Sequence, residues 1–239
     1  MKKVFKVILA TLMVTLLLAA CGKKGDETNA QKDTPTQAPA VTEEATPTEA
    51  PTPTEEAAPT EEANALPAGT TYNSFQQFDT TSAIGENGPW IYSFTTDKGA
   101  TFDPCTILEP YEKLQPWHPW AGNWTGVGLN GDVADRVELN TDGLDGINGA
   151  LGFRAPADGT YSIAGSVSNP WGQTADLLYC KLNGTDLFTV QPGGADADPV
   201  AFPETVVELK AGDEVFFFCP STAADSWVSA YLDVTITVQ

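Results

Sequence analysis

The chain is poor in positive charge: 12 Lys and Arg stand against 32 Asp and Glu, for a formal net charge of −20. No broad basic surface can form on such a chain, which excludes nucleic acid and anionic lipid headgroups as partners. Histidine occurs once, as His118, so any histidine-activated nucleophile would have to use that residue, wedged between Trp117 and Pro119. No pair of cysteines has zinc-type spacing, and no glycine-rich phosphate loop follows a strand-like run. No apolar run reaches the roughly 20 residues that a helix needs to cross a hydrocarbon core. A glycosidase would need two carboxylates roughly 5 to 9.5 Å apart across one bond. With 22 acids after residue 68, no motif singles out such a pair. No catalytic residue is therefore expected, and the chain reads as a non-enzyme.

What is present begins with Met1-Lys2-Lys3-Val4-Phe5-Lys6, a short basic segment, followed by the uncharged apolar stretch Val7 to Ala20. Basic flank and short apolar core are the features of a secretory signal. The stretch ends in Leu18-Ala19-Ala20-Cys21-Gly22, which resembles the lipobox of bacterial lipoproteins. The resemblance implies cleavage before Cys21, a diacylglyceryl group and palmitate on that cysteine, and a lipid anchor at the extracytoplasmic face of the cell membrane. An ordinary secreted protein with a cysteine near its cleavage site is the alternative. Two or more acyl chains make such attachment stable, where one alone is marginal.

From Gly22 to Pro67 the chain turns to Pro, Thr, Glu and Ala and carries no aromatic residue. Such a composition cannot bury enough apolar surface to offset its ordering entropy, so residues 21–68 read as a disordered stalk. Proline and like-charge repulsion extend it, to between roughly 40 Å as a coil and about 140 Å fully stretched. The expected organisation is a signal peptide (1–20), this lipidated stalk (21–68) and a folded domain (69–239). Within the last segment 22 acids face 6 bases, a net charge near −16.

The folded segment holds all six tryptophans and many glycines. Runs rich in aromatic and β-branched residues alternate with turn clusters: Trp90 to Thr95, Ala150 to Arg154, Thr160 to Ser168, Leu177 to Leu182, Asp186 to Val190, Thr205 to Leu209, Val215 to Cys219 and Ala230 to Val238. In the last, Leu232, Val234, Ile236 and Val238 alternate with Tyr231, Asp233, Thr235 and Thr237, the pattern of a half-buried strand. Asn183-Gly184 between two such runs predicts a tight hairpin, because a type I′ turn needs positive φ at both central residues. Lys210-Ala211-Gly212-Asp213 marks a second turn. No helical period of useful length interrupts this. The fold class that follows is all-β, an antiparallel β-sandwich of the jelly-roll kind. Trp90, Tyr92 and Phe94 share one face of their run and are expected in its core.

Several of these phrases resemble a recurring jelly-roll pattern. They are Phe153-Arg154-Ala155-Pro156-Ala157-Asp158-Gly159-Thr160-Tyr161, then Leu182-Asn183-Gly184, then Leu209-Lys210-Ala211-Gly212-Asp213-Glu214-Val215. Asn87-Gly88-Pro89-Trp90-Ile91-Tyr92 and Pro116-Trp117-His118-Pro119-Trp120 add to it. The pattern is that of accessory domains of secreted bacterial carbohydrate-active proteins and of complement-like and tumour-necrosis-factor-like heads. The likeness runs from about Tyr72 to Val238. It implies a fold used for contact, and since one fold hosts many activities it implies little about the ligand.

Loop aromatics are the most suggestive candidates, since the C–H face of a sugar stacks on a flat ring while its hydroxyls need a few polar partners. Trp117, Trp120 and Trp124 lie within eight residues of Pro- and Gly-interrupted chain, and Trp171 falls in Ser168-Asn169-Pro170-Trp171-Gly172. These four are the expected ligand-binding residues; the competing reading has some of them plugging the ends of the sandwich. Asp132 and Asp135, and Asp142 and Asp145, sit in Asn- and Gly-rich loops that offer oxygen ligands to a structural calcium, although the order is not that of an EF-hand. Solvated turn residues are the alternative, and no cofactor is required. Cys105, Cys180 and Cys219 are odd in number, and unpaired thiols are expected, with one bridge as the alternative.

The sequence thus describes a membrane-anchored surface lipoprotein that binds cell-wall or environmental polysaccharide. A protein-interaction or self-assembling trimeric head is the rival, and the oligomeric state is left open.

Overall fold

The alternation near the C-terminus makes the longest strand of the fold. In Trp227–Val238 the side chains of Val228, Ala230, Leu232, Val234, Ile236 and Val238 are buried, while Ser229, Asp233, Thr235 and Thr237 face outward. The structure is a computed structural model. It describes residues 65–239 apart from 112, 143–144, 170–176, 194–197 and 222–226. These residues belong to one unit, Ala58–Gln239. The expected signal peptide, Cys21, nearly all of the expected stalk and Trp171 lie outside the described residues.

The strands in chain order are β1 (Thr71–Asn73), β2 (Trp90–Thr95), β3 (Asp103–Pro104), β4 (Ile107–Leu108), β5 (Leu114–His118), β6 (Gly126–Asn130), β7 (Val137–Asp142) and β8 (Ile147–Arg154). They continue with β9 (Gly159–Ser168), β10 (Leu178–Leu182), β11 (Thr185–Val190), β12 (Val200–Ala201), β13 (Thr205–Leu209), β14 (Glu214–Phe218) and β15 (Trp227–Val238). No helix occurs among the described residues. The pairing of the named strands is antiparallel throughout.

One layer runs β3-β2-β8-β14-β10-β11, and the other runs β4-β5-β6-β7-β15-β9-β13. β1 joins the second layer beside β15, and β12 joins it beside β9. Where the layers meet, β7 and β8 share the pairs Thr141↔Asn148 and Asp142↔Ile147. The inner faces contribute Tyr92, Leu151, Phe153, Val215 and Phe217 from one side and Val127, Leu139, Ile163, Leu232 and Ile236 from the other. Fully burying each such side chain is worth roughly 1.5–3 kcal/mol. The fold is thus the all-β sandwich that the alternation and turns predict.

The first layer also buries part of its outer face. Ile91, Ala150, Phe216 and Phe218 form a second apolar cluster, with Phe102 and Tyr179 packed against it. Phe102 reaches this cluster because the connection after β2 folds back over the layer, placing its ring 4.0 Å from that of Phe216.

The register sorts the connections into two ends. His118, Gly126, Asp142, Ile147, Thr95 and Trp227 all lie at one end, through the pairs Gly126↔Asn140, Trp227↔Asp142 and Thr95↔Asn148. From here emerge the loops 96–102 and 119–125. The other end carries the turns 131–136, 155–158, 183–184 and 210–213, beside the pairs Leu129↔Val137, Glu214↔Arg154 and Leu182↔Val215. At the loop end β8 passes so close to β6 and β7 that a Cβ on Gly149 would lie 2.1 Å from the Gly126 carbonyl oxygen and 2.8 Å from that of Asn140. Only a residue without a side chain permits that approach.

Candidate functional site

The 119–125 loop does not project into solvent; it folds back over β4 and β5. Trp117 and Leu108 are paired and face the core, so alternation turns Glu109, Tyr111 and His118 outward. The loop is braced against that outer face at several points. Thr106 Oγ1 donates to Pro119 O at 2.5 Å, the Gly122 amide donates to Glu109 Oε2 at 3.1 Å, and the Asn123 amide donates to Trp120 O at 3.2 Å. Asn123 Oδ1 accepts the Thr125 amide at 2.8 Å, and His118 Nδ1 donates to Thr125 O at 3.0 Å.

This bracing holds three large aromatic rings half in solvent. Trp120, Trp124 and Tyr111 are 49%, 51% and 51% exposed. Trp124 meets Tyr111 edge-on at 5.5 Å and His118 edge-on at 6.2 Å, and Trp120 meets Phe94 edge-on at 6.0 Å. Edge-to-face contacts of this kind fix the orientation of the rings relative to one another. A rigid, partly exposed aromatic surface bordered by the Glu109 carboxylate is suited to a ligand with one apolar face and a polar rim. Because its loop is already ordered, little conformational entropy is lost on binding.

The candidate residues fall apart as follows. Trp120 and Trp124 lie half-exposed on the 119–125 loop. Trp117 does not: it lies within β5, where its inward position buries it to 7% exposure. Its ring lies parallel to Tyr92 at 6.2 Å and its Nε1 donates to Asp79 O at 2.8 Å, so it belongs to the core. Trp171 lies outside the described residues. Tyr111, which the sequence reading passed over, joins Trp124. Its only signal is an aromatic beside Pro110 in a turn between two strands too short to show a period.

Trp90 and Tyr92 are buried as expected, with Phe94 half-buried beside them. Asp132 and Asp135 sit in the turn before β7, whereas Asp142 ends that strand and Asp145 follows it. Six extended residues separate the two pairs by roughly 20 Å, so the four cannot share one ion. Asp132 instead pairs with Lys113. Among the described residues no group of three His, Cys, Asp or Glu side chains gathers where a metal could sit. Cys105 and Cys180 are free, buried thiols whose pKa burial pushes up, which removes thiolate character at neutral pH. Cys219 is buried too, and its carbonyl accepts from Thr141 Oγ1 at 2.9 Å. His118 is 1% exposed and committed to Thr125 O through Nδ1. Burial also pushes the Glu138 carboxyl above its ordinary range, against the opposing effect of hydrogen bonds. Asn130 Nδ2 donates to it at 3.1 Å and to Tyr231 Oη at 3.0 Å, which ties β6 to β7 and β15.

No family model matches the chain. No curated protein matches it either. Among solved structures it is similar to the CBM36-1 domain of a multidomain xylanase from the hindgut metagenome of Trinervitermes trinervoides, at 12% identity over 63% of this chain and 97% of that one, with a TM-score of 0.32. It is similar to a family 35 carbohydrate binding module from Clostridium thermocellum, at 19% identity over 54% of this chain and 85% of that one, with a TM-score of 0.27. A third likeness is to CBM35 from Paenibacillus barcinonensis, at 14% identity over 70% of this chain and 98% of that one, with a TM-score of 0.28. At such scores the ligand has to be argued from the chain's own geometry.

Proposed function

We propose that this protein is a lipid-anchored surface protein whose β-sandwich binds carbohydrate through Trp120, Trp124 and Tyr111. The observation that carries the reading is the half-exposed Trp124 and Tyr111, in contact on the outward face of β4 and β5, with half-exposed Trp120 on the same hydrogen-bonded loop. A sugar face offers C–H groups to such rings and hydroxyls to the exposed Glu109 carboxylate beside them. The anchor rests on the lipobox-like Leu18-Ala19-Ala20-Cys21 and the compartment on the signal before it. Residues 21–68 then act as the spacer that carries the domain away from the membrane.

Two experiments test this. The full-length protein is passed over a panel of insoluble and immobilised polysaccharides, beside a Trp120→Ala/Trp124→Ala variant. Retention by at least one polysaccharide, lost in the variant, supports the reading. Absence of retention by all of them, together with a trimer mass in solution, favours a self-assembling head instead. Separately, cells grown with radiolabelled palmitate should label the protein, and Cys21→Ser should abolish the label; labelling that survives the substitution would refute the anchor.

A further inference from the structure

Between β1 and β2, residues 74–89 cross from the second layer to the first, and Asp79 pins the crossing in place. Its amide donates to Tyr92 Oη at 2.6 Å, and its carbonyl accepts Trp117 Nε1 at 2.8 Å. Its carboxylate is held as firmly. Oδ1 accepts the Thr81 amide at 2.7 Å and Thr81 Oγ1 at 2.6 Å, and Oδ2 accepts Asn87 Nδ2 at 2.9 Å. The Ser82 amide adds a further bond. Burial opposes the charge, yet these hydrogen bonds together hold the Asp79 carboxyl below its ordinary range, so it is anionic at neutral pH.

Beside this carboxylate opens a cavity of about 270 Å³, lined by Tyr72, Gln77, Asp79, Asn87, Pro89 and Trp90. Its lining comes from residues 72–90, all of them described. Both aromatic members are fixed. Trp90 meets Phe153 edge-on at 5.4 Å and donates Nε1 to Gln77 Oε1 at 3.2 Å, and Tyr72 lies 5.4 Å from the same Phe153 ring. The cavity is therefore formed before a ligand arrives, and little ordering is lost on binding.

None of the ion pairs among the described residues includes Asp79. Arg154 comes close in the chain path, its amide donating to Pro89 O at 2.8 Å, but its guanidinium is spent on Glu214 and on Ile84 O. A fixed negative charge beside two aromatic rings, in a domain of net charge near −16, is suited to an organic cation. The hydrogen bonds say which kind. A carboxylate offers about four lone-pair positions. The Thr81 amide, Thr81 Oγ1, Asn87 Nδ2 and the Ser82 amide take them up. A primary ammonium must donate its N–H groups and finds no free acceptor on Asp79. A quaternary ammonium has no N–H to place and needs only the charge and the rings.

We propose that this cavity binds a small quaternary ammonium group, with Asp79 as its counter-charge and Tyr72 and Trp90 as its aromatic walls. The group could belong to a free choline-like ion or to a phosphocholine headgroup, and the probes separate the two. The site is distinct from the Trp120 and Trp124 surface and stands or falls independently of it.

The test titrates the full-length protein with choline, tetramethylammonium, phosphocholine and ethanolamine, by saturation-transfer NMR and calorimetry. Choline is expected to bind tenfold or more tighter than ethanolamine, its primary counterpart, with tetramethylammonium within about threefold of choline. Phosphocholine as tight as choline identifies the headgroup form, and weaker phosphocholine identifies the free ion. Asp79→Asn should weaken choline tenfold or more. Asn87→Lys places a tethered ammonium beside Asp79 from an exposed position; it should abolish choline binding and melt with the parent, which separates loss of the site from loss of the fold. Trp120→Ala/Trp124→Ala should leave choline binding within twofold even where it abolishes polysaccharide retention. Ethanolamine bound as tightly as choline, no binding of choline or tetramethylammonium, or choline binding unchanged in Asp79→Asn or Asn87→Lys would overturn the proposal.

Discussion

The two ends of the sandwich spend their polar side chains in opposite ways. At the turn end, charges and amides are used up inside the protein. Asn183 takes the left-handed φ of the tight turn, donates to Asp213 Oδ1 at 3.0 Å and accepts the Glu214 amide at 3.1 Å. Asp158 accepts the Ala211 amide at 2.8 Å and Lys210 Nζ at 3.0 Å, Asp213 accepts the Lys210 amide at 2.7 Å, and Arg154 pairs with Glu214 at 2.8 Å. Beneath them Tyr161 Oη donates to Ala157 O at 2.8 Å. At the loop end the hydrogen bonds hold the described loops in place, and what the 119–125 loop presents is left over: two half-exposed tryptophans. The described loops at both ends are held by hydrogen bonds, so such bonds alone do not mark function. The difference is whether the ordered groups face each other or face solvent.

Substitutions at each end should therefore separate binding from stability. The largest effect is expected from Trp120→Ala/Trp124→Ala, which should weaken polysaccharide binding by roughly 100-fold or more, about 2.7 kcal/mol, while the melting temperature stays nearly unchanged. Equilibrium binding beside thermal denaturation checks both halves. Next comes Tyr161→Phe at the turn end, which strips a buried carbonyl of its donor and should cost about 1–2 kcal/mol in urea denaturation with binding intact. Smaller again is Arg154→Ala, which removes a partly exposed ion pair and should cost below about 1 kcal/mol.

A pH titration sharpens the same comparison. Backbone hydrogen bonds hold the Asp158 and Asp213 carboxyls below their ordinary range at the turn end, chiefly those from Ala211 and Lys210. Thr101 does the same to Asp97 at the loop end, down to about 2. A carboxyl whose folded pKa is lowered stabilises the fold above its unfolded value, near 3.8, and that stability is lost as pH falls through the folded value. Acid unfolding should accordingly show a fall in stability from about pH 4 downward, and Asp158→Asn/Asp213→Asn should flatten it. Asp97→Asn should instead speed hydrogen exchange at the amides of Ala100 and Thr101, with the turn end unaffected.

Much of the fold could be read directly. Strands with β-branched alternation, such as β9, β13 and β15, and the Asn183-Gly184 turn announce themselves, because period two and turn chemistry are local properties. The strands that carry the site do not. β5 contains Pro116, β6 reads Gly126-Val127-Gly128-Leu129-Asn130, and β7 mixes Glu138, Asn140 and Asp142 among its apolar residues. Each is a strand by virtue of its neighbours, and low intrinsic propensity hides it. This is why Trp117 reads as a loop residue when it is a core one: proximity in sequence grouped it with Trp120, and alternation within an unrecognised strand turned it inward. The four aspartates were grouped by composition, and the length of β7 keeps them apart. Tyr111 gains its meaning from a partner further along the chain, Trp124, and a single sequence holds no trace of that meeting.

The central claim is that polysaccharide contact belongs to the loop end. It is tested most directly by NMR of the full-length protein titrated with a fragment of whichever polysaccharide retains it. The Trp120 and Trp124 indole N–H signals should shift in a saturable way with those of Gly122 and Asn123, while the amides of Gly184 and Gly212 stay still. Saturable shifts at Gly184 and Gly212 with the two indoles unmoved would contradict the account.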